Sequence, residues 1–175
     1  MRYLPLLGLL GWLFGCDKNT TTPSPSPNRQ YSIDLIQFRC NETTLGEAPK
    51  PNEHYKDSFD FEGVFRDDPK GIEIGLKDGT LDYVYLDLRK YPGDLTAENQ
   101  KLSIGTDSTV EDIIKLFGEP YWKDEDEKEI ILFYEDAGRV ELQFEFPQKT
   151  KLGIITLMFL NLPAKLSGII TNHTQ

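Results

Sequence analysis

Apolar and polar positions alternate most cleanly near the carboxyl end, where Val140, Leu142, Phe144 and Phe146 are separated by Glu141, Gln143 and Glu145. A period of two is the mark of a strand with one face in a core and the other toward water. Residues 129–135 form an apolar-rich run before it, and Asp136-Ala137-Gly138 supplies turn residues between the two, so a hairpin is expected. Residues 153–160 predict a final strand after a polar connection. Upstream, residues 72–77 and 80–89 flank Asp78-Gly79, a pair suited to a two-residue turn that needs positive φ at both positions. Residues 31–40 and 58–66 also predict strands, the second interrupted by Gly63. Residues 41–56, with Pro49 and Pro51, predict a loop, and residues 91–101 an irregular stretch with room for one helical turn at 95–99.

The period changes once. Val110, Ile113, Ile114 and Phe117 follow the i, i+3, i+4, i+7 spacing of a helix with one buried stripe. Ser108 and Glu111 fit a capping box at its start, and Gly118 and Pro120 mark its end, predicting a helix over 108–117. A strand, this helix, then three antiparallel strands predict an α+β fold: a meander of hairpins with one short capped helix packed on one face.

The first thirty residues follow neither period. Residues 4–14 carry no charge and fall short of the roughly 20 apolar residues that a membrane-spanning helix needs. Residues 17–30 hold no large apolar side chain and alternate Pro with Ser, a composition that favours an extended, solvated chain. Such a segment reaches roughly 20 Å as a coil and about 40 Å if extended. The run Leu13-Phe14-Gly15-Cys16 resembles a bacterial lipobox, with an aliphatic residue at minus three, a small one at minus one, and Cys directly after. The resemblance implies cleavage before Cys16, a diacylglycerol on its sulfur, and attachment to a membrane in the bacterial envelope. It also implies a periplasm-facing domain, with Asp17 favouring the inner membrane where enteric-type sorting applies. The expected organisation is a signal peptide over 1–15, a lipidated Cys and tether over 16–30, one domain over 31–163, and a polar tail over 164–175.

Charge narrows the partners. The 175 residues carry a formal net charge of −10, which moves to about −11 once Arg2 is removed with the leader. An excess of carboxylates excludes nucleic acid, whose phosphates need Lys and Arg, and gives no attraction to anionic lipid head groups. Attachment is therefore left to acyl chains. With Cys16 acylated, Cys40 has no thiol to pair with, and its place on an alternating face beside Ile36 and Phe38 suits a small buried hydrophobe.

A second resemblance lies in Ile104-Gly105-Thr106-Asp107-Ser108-Thr109-Val110-Glu111-Asp112-Ile113, followed by Leu116-Phe117-Gly118-Glu119-Pro120. This resembles the Ile-Gly, capped-helix, Leu-Phe-Gly-x-Pro segment of the β-lactamase-inhibitor-like and SmpA/BamE-like small lipoprotein domains. It spans roughly residues 102–160 and implies a helix packed on antiparallel strands in a domain that binds other proteins. The lipobox, the acidity and the added strands also resemble immunity lipoproteins that neutralise toxins delivered into the periplasm. An accessory scaffold in envelope assembly is the alternative of the same kind.

Catalytic patterns are sparse. His54, in the Pro-containing loop, and His173, near the end, are the two histidines, and each is expected to be solvated. No phosphate-loop, Cys-x-x-Cys or His-Glu-x-x-His pattern occurs, so no enzyme, cofactor or resident metal is expected. A carboxylate-based hydrolase stays open as a third class, because carboxylate spacing is set in three dimensions. Asp67-Asp68 fits a turn, and Asp124-Glu125-Asp126-Glu127 a solvated loop that lacks the spaced donors of a cation site. Acidity beside exposed aromatics suits a basic protein partner better. The candidate binding residues are Tyr121, Trp122, Asp124, Glu125, Asp126 and Glu127, with Tyr83 and Tyr85 as further aromatics that core packing would equally explain.

Overall fold

The computed structural model describes residues 31–136 and 138–160. The leader, Cys16, Asp17, the tether, the tail over 164–175 and His173 lie outside the described residues. Among the described residues no helix is long and apolar enough to cross a membrane. Strands account for 44% of them and helical residues for 9%, so the α+β expectation is corrected: the fold is largely β, two sheets with one short α-helix. The difference arises because stretches without clean periodicity, over 41–44, 94–101 and 122–125, fold into short strands held mainly by backbone pairing.

The larger sheet runs β4 (Val64–Asp67), β5 (Ile72–Lys77), β6 (Thr80–Asp87), β12 (Ile154–Phe159), β11 (Val140–Pro147), β10 (Glu129–Asp136), β9 (Trp122–Glu125). Every neighbouring pair in it is antiparallel. Asp78 and Gly79 close β5 onto β6 with φ of 53° and 79°, the double positive that the dipeptide predicts. Register fixes the faces. Tyr134, Leu142, Leu157, Val84, Ile74 and Phe65 stand in one line across six strands. Leu132, Phe144, Ile155, Leu86 and Ile72 form another line two residues along. These two lines belong to the core, where Leu132, Phe144, Ile155, Ile74 and Leu86 are fully buried.

The smaller sheet, in the order β3 (Thr43–Thr44), β2 (Arg39–Cys40), β1 (Ser32–Asp34), β7 (Asp94–Ala97), β8 (Gln100–Lys101), is mixed, because β1 and β7 run parallel. Residues 31–40, expected as one strand, are broken by Asp34. Its carboxylate Oδ1 accepts the Ile36 and Gln37 amides at 3.1 and 2.8 Å, turning the chain back on itself. The same carboxylate accepts the Glu98 amide, the Thr96 hydroxyl and, at 2.8 Å, the Asn99 amide. Glu98 and Asn99 form the two-residue turn between β7 and β8, with φ of 50° and 66°, so no helical turn forms at 95–99. One carboxylate, 2% exposed, therefore closes two turns and joins β1 to β7. Burial alone would push the Asp34 carboxyl up, yet the donors from Asn99, Gln37, Thr96 and Glu98 outweigh it and hold it below its usual range.

The helix α1 (Val110–Phe117) starts one residue later than its sequence suggests. Thr109 is the N-cap, accepting the Asp112 amide at 3.3 Å, while the Asp112 carboxylate accepts the Thr109 amide at 3.0 Å. Ser108 is buried instead, and its hydroxyl accepts the Gly105 amide. The expected Ser108–Glu111 box is thus replaced by its neighbour, one position along. Ile113 is fully buried, and the Phe117 ring lies 5.1 Å from Phe144 and 5.8 Å from Tyr134, which sets the helix against the core face of the large sheet.

His54 is not a solvated loop residue. Its ring lies 4.7 Å from Tyr31 and 5.5 Å from Tyr55, in an aromatic group with Phe59 and Phe65 that fills the far end of the core. Pro49 and Pro51 misdirected the expectation: the loop they shape is tied inward by buried Glu53, which accepts the Glu42 amide, the Thr43 hydroxyl and Asn41 Nδ2. Cys40 is fully buried beside this group, and burial, then the Glu53 charge, push its thiol up, away from the thiolate form.

Candidate functional site

With α1 on the core face, the other face of the large sheet is left to the residues that alternate with the core. Glu135, Glu141, Met158, Tyr83 and Gly75 stand in register across five strands. Trp122, Phe133, Gln143, Thr156, Tyr85, Glu73 and Arg66 make the adjoining line. Asp124, Ile131, Glu145, Ile154 and Asp87 make the next. A solvated face of an antiparallel sheet is ordinarily short polar and charged residues. With Tyr121, which packs on it from just before β9, this one carries five aromatic rings and three large aliphatic side chains, most of them half-buried, with Trp122 61% exposed.

The rings are held in place by the carboxylates around them. Tyr83 lies flat over β5, where a Cβ on Gly75 would stand 1.9 Å from its Cε1, so only glycine admits the ring. Its hydroxyl donates to Glu73 at 2.5 Å, and Arg66 donates to the other Glu73 oxygen at 2.8 Å. Burial and then the Glu73 carboxylate push the Tyr83 phenol up to about 12. Tyr121 packs edge-on to Phe133, with ring centroids 6.5 Å apart, and donates its hydroxyl to Glu141. Gln143 Nε2 donates to the second Glu141 oxygen at 2.6 Å. These hydrogen bonds run along the face and fix the side chains before any partner arrives.

Charge on the face is unbalanced. Arg66 and Arg89 pair with Glu73 and Asp87. Glu135, Glu141 and Glu145 take part in none of the ion pairs among the described residues. Burial, followed by the charges of Glu141 and Asp136, pushes the Glu135 carboxyl up. Burial and then Glu129 do the same to Glu145. Glu135 Oε2 is enclosed and makes no hydrogen bond. Among the described residues no group of three or more His, Cys, Asp or Glu could hold a metal ion.

Of the residues singled out from the sequence, Tyr121, Trp122 and Asp124 belong to this face, together with Tyr83 and Tyr85. Residues 124–127 are all exposed, as expected, but the expectation of a loop is corrected for the first two, because Trp122–Glu125 is the edge strand β9, paired with β10 from Glu125 opposite Ile130 to Trp122 opposite Phe133. Glu125 alternates to the opposite side from Trp122 and pairs with Lys123 and Lys149. Asp126 turns the chain into β10, accepting the Lys128 and Glu129 amides, and Glu127 is exposed in that turn. Glu73, Phe133, Glu135, Glu141 and Glu145 are the site residues that sequence reasoning passed over. Their signal was available in the alternation of β11, whose polar positions share a side with the apolar positions Ile131 and Phe133 of β10. What this face suits is recognition of a cationic, partly apolar surface by preset rings and carboxylates. No family model, no curated protein and no solved structure matches this chain, so its function has to be read from its own residues.

Proposed function

We propose that this protein is a non-enzymatic binding domain, held at a bacterial envelope membrane by lipid on Cys16, whose outer sheet face takes up a basic protein partner. The observation that carries the proposal is the composition of that face: Tyr83, Tyr85, Tyr121, Trp122 and Phe133 interleaved with Glu135, Glu141 and Glu145, which take part in no ion pair among the described residues. Aromatic rings fixed by hydrogen bonds supply apolar contact at small entropic cost, and the acidic field speeds encounter with a positive surface. The net charge of −10 extends that field over the whole molecule. A toxin delivered into the periplasm is the partner proposed, in keeping with an immunity or inhibitor role.

Capture from solubilised envelope tests the binding half. The full chain is expected to retain one basic protein, and Trp122→Ala to weaken that capture at least tenfold, in line with loss of a large aromatic anchor. Equal capture by the variant, or retention of a resident acidic complex, would overturn it. Cys16→Ser tests the anchor: the variant is expected to take up no labelled fatty acid and to stay out of the detergent phase, and unchanged labelling would refute the lipid attachment.

A further inference from the structure

A groove of about 320 Å³ opens on the core side of the large sheet, between the carboxyl end of α1 and the turns of the small sheet. Its lining is mostly apolar: Ile36, Ala97, Leu102, Leu116 and Phe117, with Glu98 and Gln100 beside them. Ile36 is 42% exposed and Leu116 51%, so two of the four exposed large hydrophobic residues among the described ones meet at one concave place. Apolar side chains scattered singly over a surface are ordinary, whereas a convergent pair in a groove marks something that binds there. Leu116 is the residue of α1 that the stripe of Val110, Ile113, Ile114 and Phe117 leaves outside. We propose that residues 162–170 of this same chain lie in the groove, packing Leu162, Leu166, Ile169 and Ile170 against Ile36, Leu102 and Leu116.

The course of the chain brings that segment to the groove. β12 ends at Phe159, and the Leu160 amide donates to the Arg139 carbonyl in the β10–β11 turn. Phe159 packs on Gly46, where a Cβ would stand 2.8 Å from its Cε2, and the adjoining Leu45 amide donates to Phe38, two residues from Ile36. On the other side, Phe159 stands opposite Val140 and Val140 opposite Asp136. Tyr134, two residues before Asp136, donates its hydroxyl to the Gly118 carbonyl just past α1. Both walls of the groove therefore adjoin the end of the sheet at which β12 leaves it.

Residues 161–175 lie outside the described residues, and their sequence supplies the match. Leu162, Leu166, Ile169 and Ile170 recur at i, i+4, i+7, i+8, the spacing that gathers apolar side chains on one helical face, and Pro163 suits a first turn. Lys165 is the one Lys, Arg, Asp or Glu of residues 161–175, and Glu98 is the one charged residue of the lining. Glu98 takes part in no ion pair among the described residues. Lys165 stands three residues from Leu162 and four from Ile169, beside the stripe, within the reach of a lysine from the groove's edge. Only Asn161 separates the segment from Leu160, and so short a link gives it an effective concentration that a free partner seldom attains.

Methyl NMR of the full chain, labelled at Ile and Leu, tests the placement. The Ile169 and Ile170 methyls are expected to show through-space contacts to Leu116 and Ile36 that persist unchanged on dilution. Leu116→Asp, at a position already half open to water, is expected to abolish those contacts. It should also move the Ile169 and Ile170 signals to where they stand in urea, while Leu132, Ile155 and Leu157 in the core keep theirs. A double-mutant cycle gives a second readout: Leu116→Ala and Ile169→Ala should each lower the urea midpoint, and together by less than the sum. Contacts between differently labelled chains would give the segment to a second copy. Ile169 and Ile170 signals that touch nothing until phosphatidylcholine vesicles are added would give it to a lipid surface. Identical Ile169 and Ile170 signals in wild type and Leu116→Asp would leave the groove without this occupant. Any of these three results, or strictly additive midpoints, would overturn the proposal.

Discussion

Replacing Asp34 by Asn keeps the size of the side chain and removes its charge. Asp34 Oδ1 accepts three amides, from Ile36, Gln37 and Glu98, while Oδ2 accepts the Thr96 hydroxyl and the Asn99 amide. With Asn the Oδ1 bonds survive to a neutral acceptor, but the new Nδ2 faces the Asn99 N–H, donor against donor, at a site only 2% exposed. Hydrogen bonds to a charged group are worth about 1.5–3 kcal/mol each and an orphaned buried donor costs about 1–3, so a loss of about 3 kcal/mol is expected. In urea, with a slope of about 1.5 kcal/mol per molar, the midpoint should fall by about 2 M with the slope unchanged. The pH dependence has a definite sign. A carboxyl held below its ordinary 3.8 stabilises the fold fully above that value and loses its contribution as pH falls through its folded-state value. The gap between wild type and Asp34→Asn should therefore stay constant from pH 7 to about pH 5 and narrow below about pH 4. A loss under about 0.5 kcal/mol, or a gap that persists undiminished in acid, would refute the role given to this carboxylate.

Thr109→Ala should lower stability by about 1 kcal/mol by removing the acceptor for the Asp112 amide. Glu111→Ala, which lies outside that box, should leave the urea midpoint where it is. Gly75→Ala should cost about 1–3 kcal/mol by forcing the Tyr83 ring off β5. Freed from burial and from Glu73, the Tyr83 phenol should then titrate spectrophotometrically nearer its ordinary 10 than 12. Cys40, fully buried with its thiol pushed up, should resist iodoacetamide in the native protein and react at the rate of unfolding once urea is added.

Much of the large sheet was legible because its strands are long enough for the period to speak. Val140, Leu142, Phe144 and Phe146 alternate and all four are buried, and Asp78-Gly79 closes the turn that its residue types predict. The stripe from Val110 to Phe117 located the helix, though two overlapping cap pairs, Ser108 with Glu111 and Thr109 with Asp112, left its start ambiguous by one residue. The small sheet was opaque for a physical reason: Asp34 is buried, yet a polar residue in a short apolar run says nothing of the amides that satisfy it. Thr43–Thr44 and Gln100–Lys101 are two-residue strands in tight hairpins, too short for any period to show, and the parallel pairing of β1 with β7 joins segments far apart in the chain. Trp122–Glu125 was missed because an edge strand with exposed side chains has no apolar period to show. For the site, the sequence pointed to Tyr121, Trp122 and Asp124 through clustered charge and rings. It hid the opposition of Glu135 to Glu141, which depends on the register of one hairpin.

Between β6 and β11 the sheet is bridged by β12, which leaves the ribosome after every other described strand of the sheet. Until residues 154–159 arrive, β4–β6 and β9–β11 are two separate three-stranded ribbons, each with an unsatisfied inner border. Nascent chain emerging amino-terminus first must hold both ribbons apart from stray strands while it waits, and pairing across so long a stretch of sequence is slow. A stop codon placed before Ile154 would therefore remove the keystone of the fold and leave two sticky halves where one domain should stand.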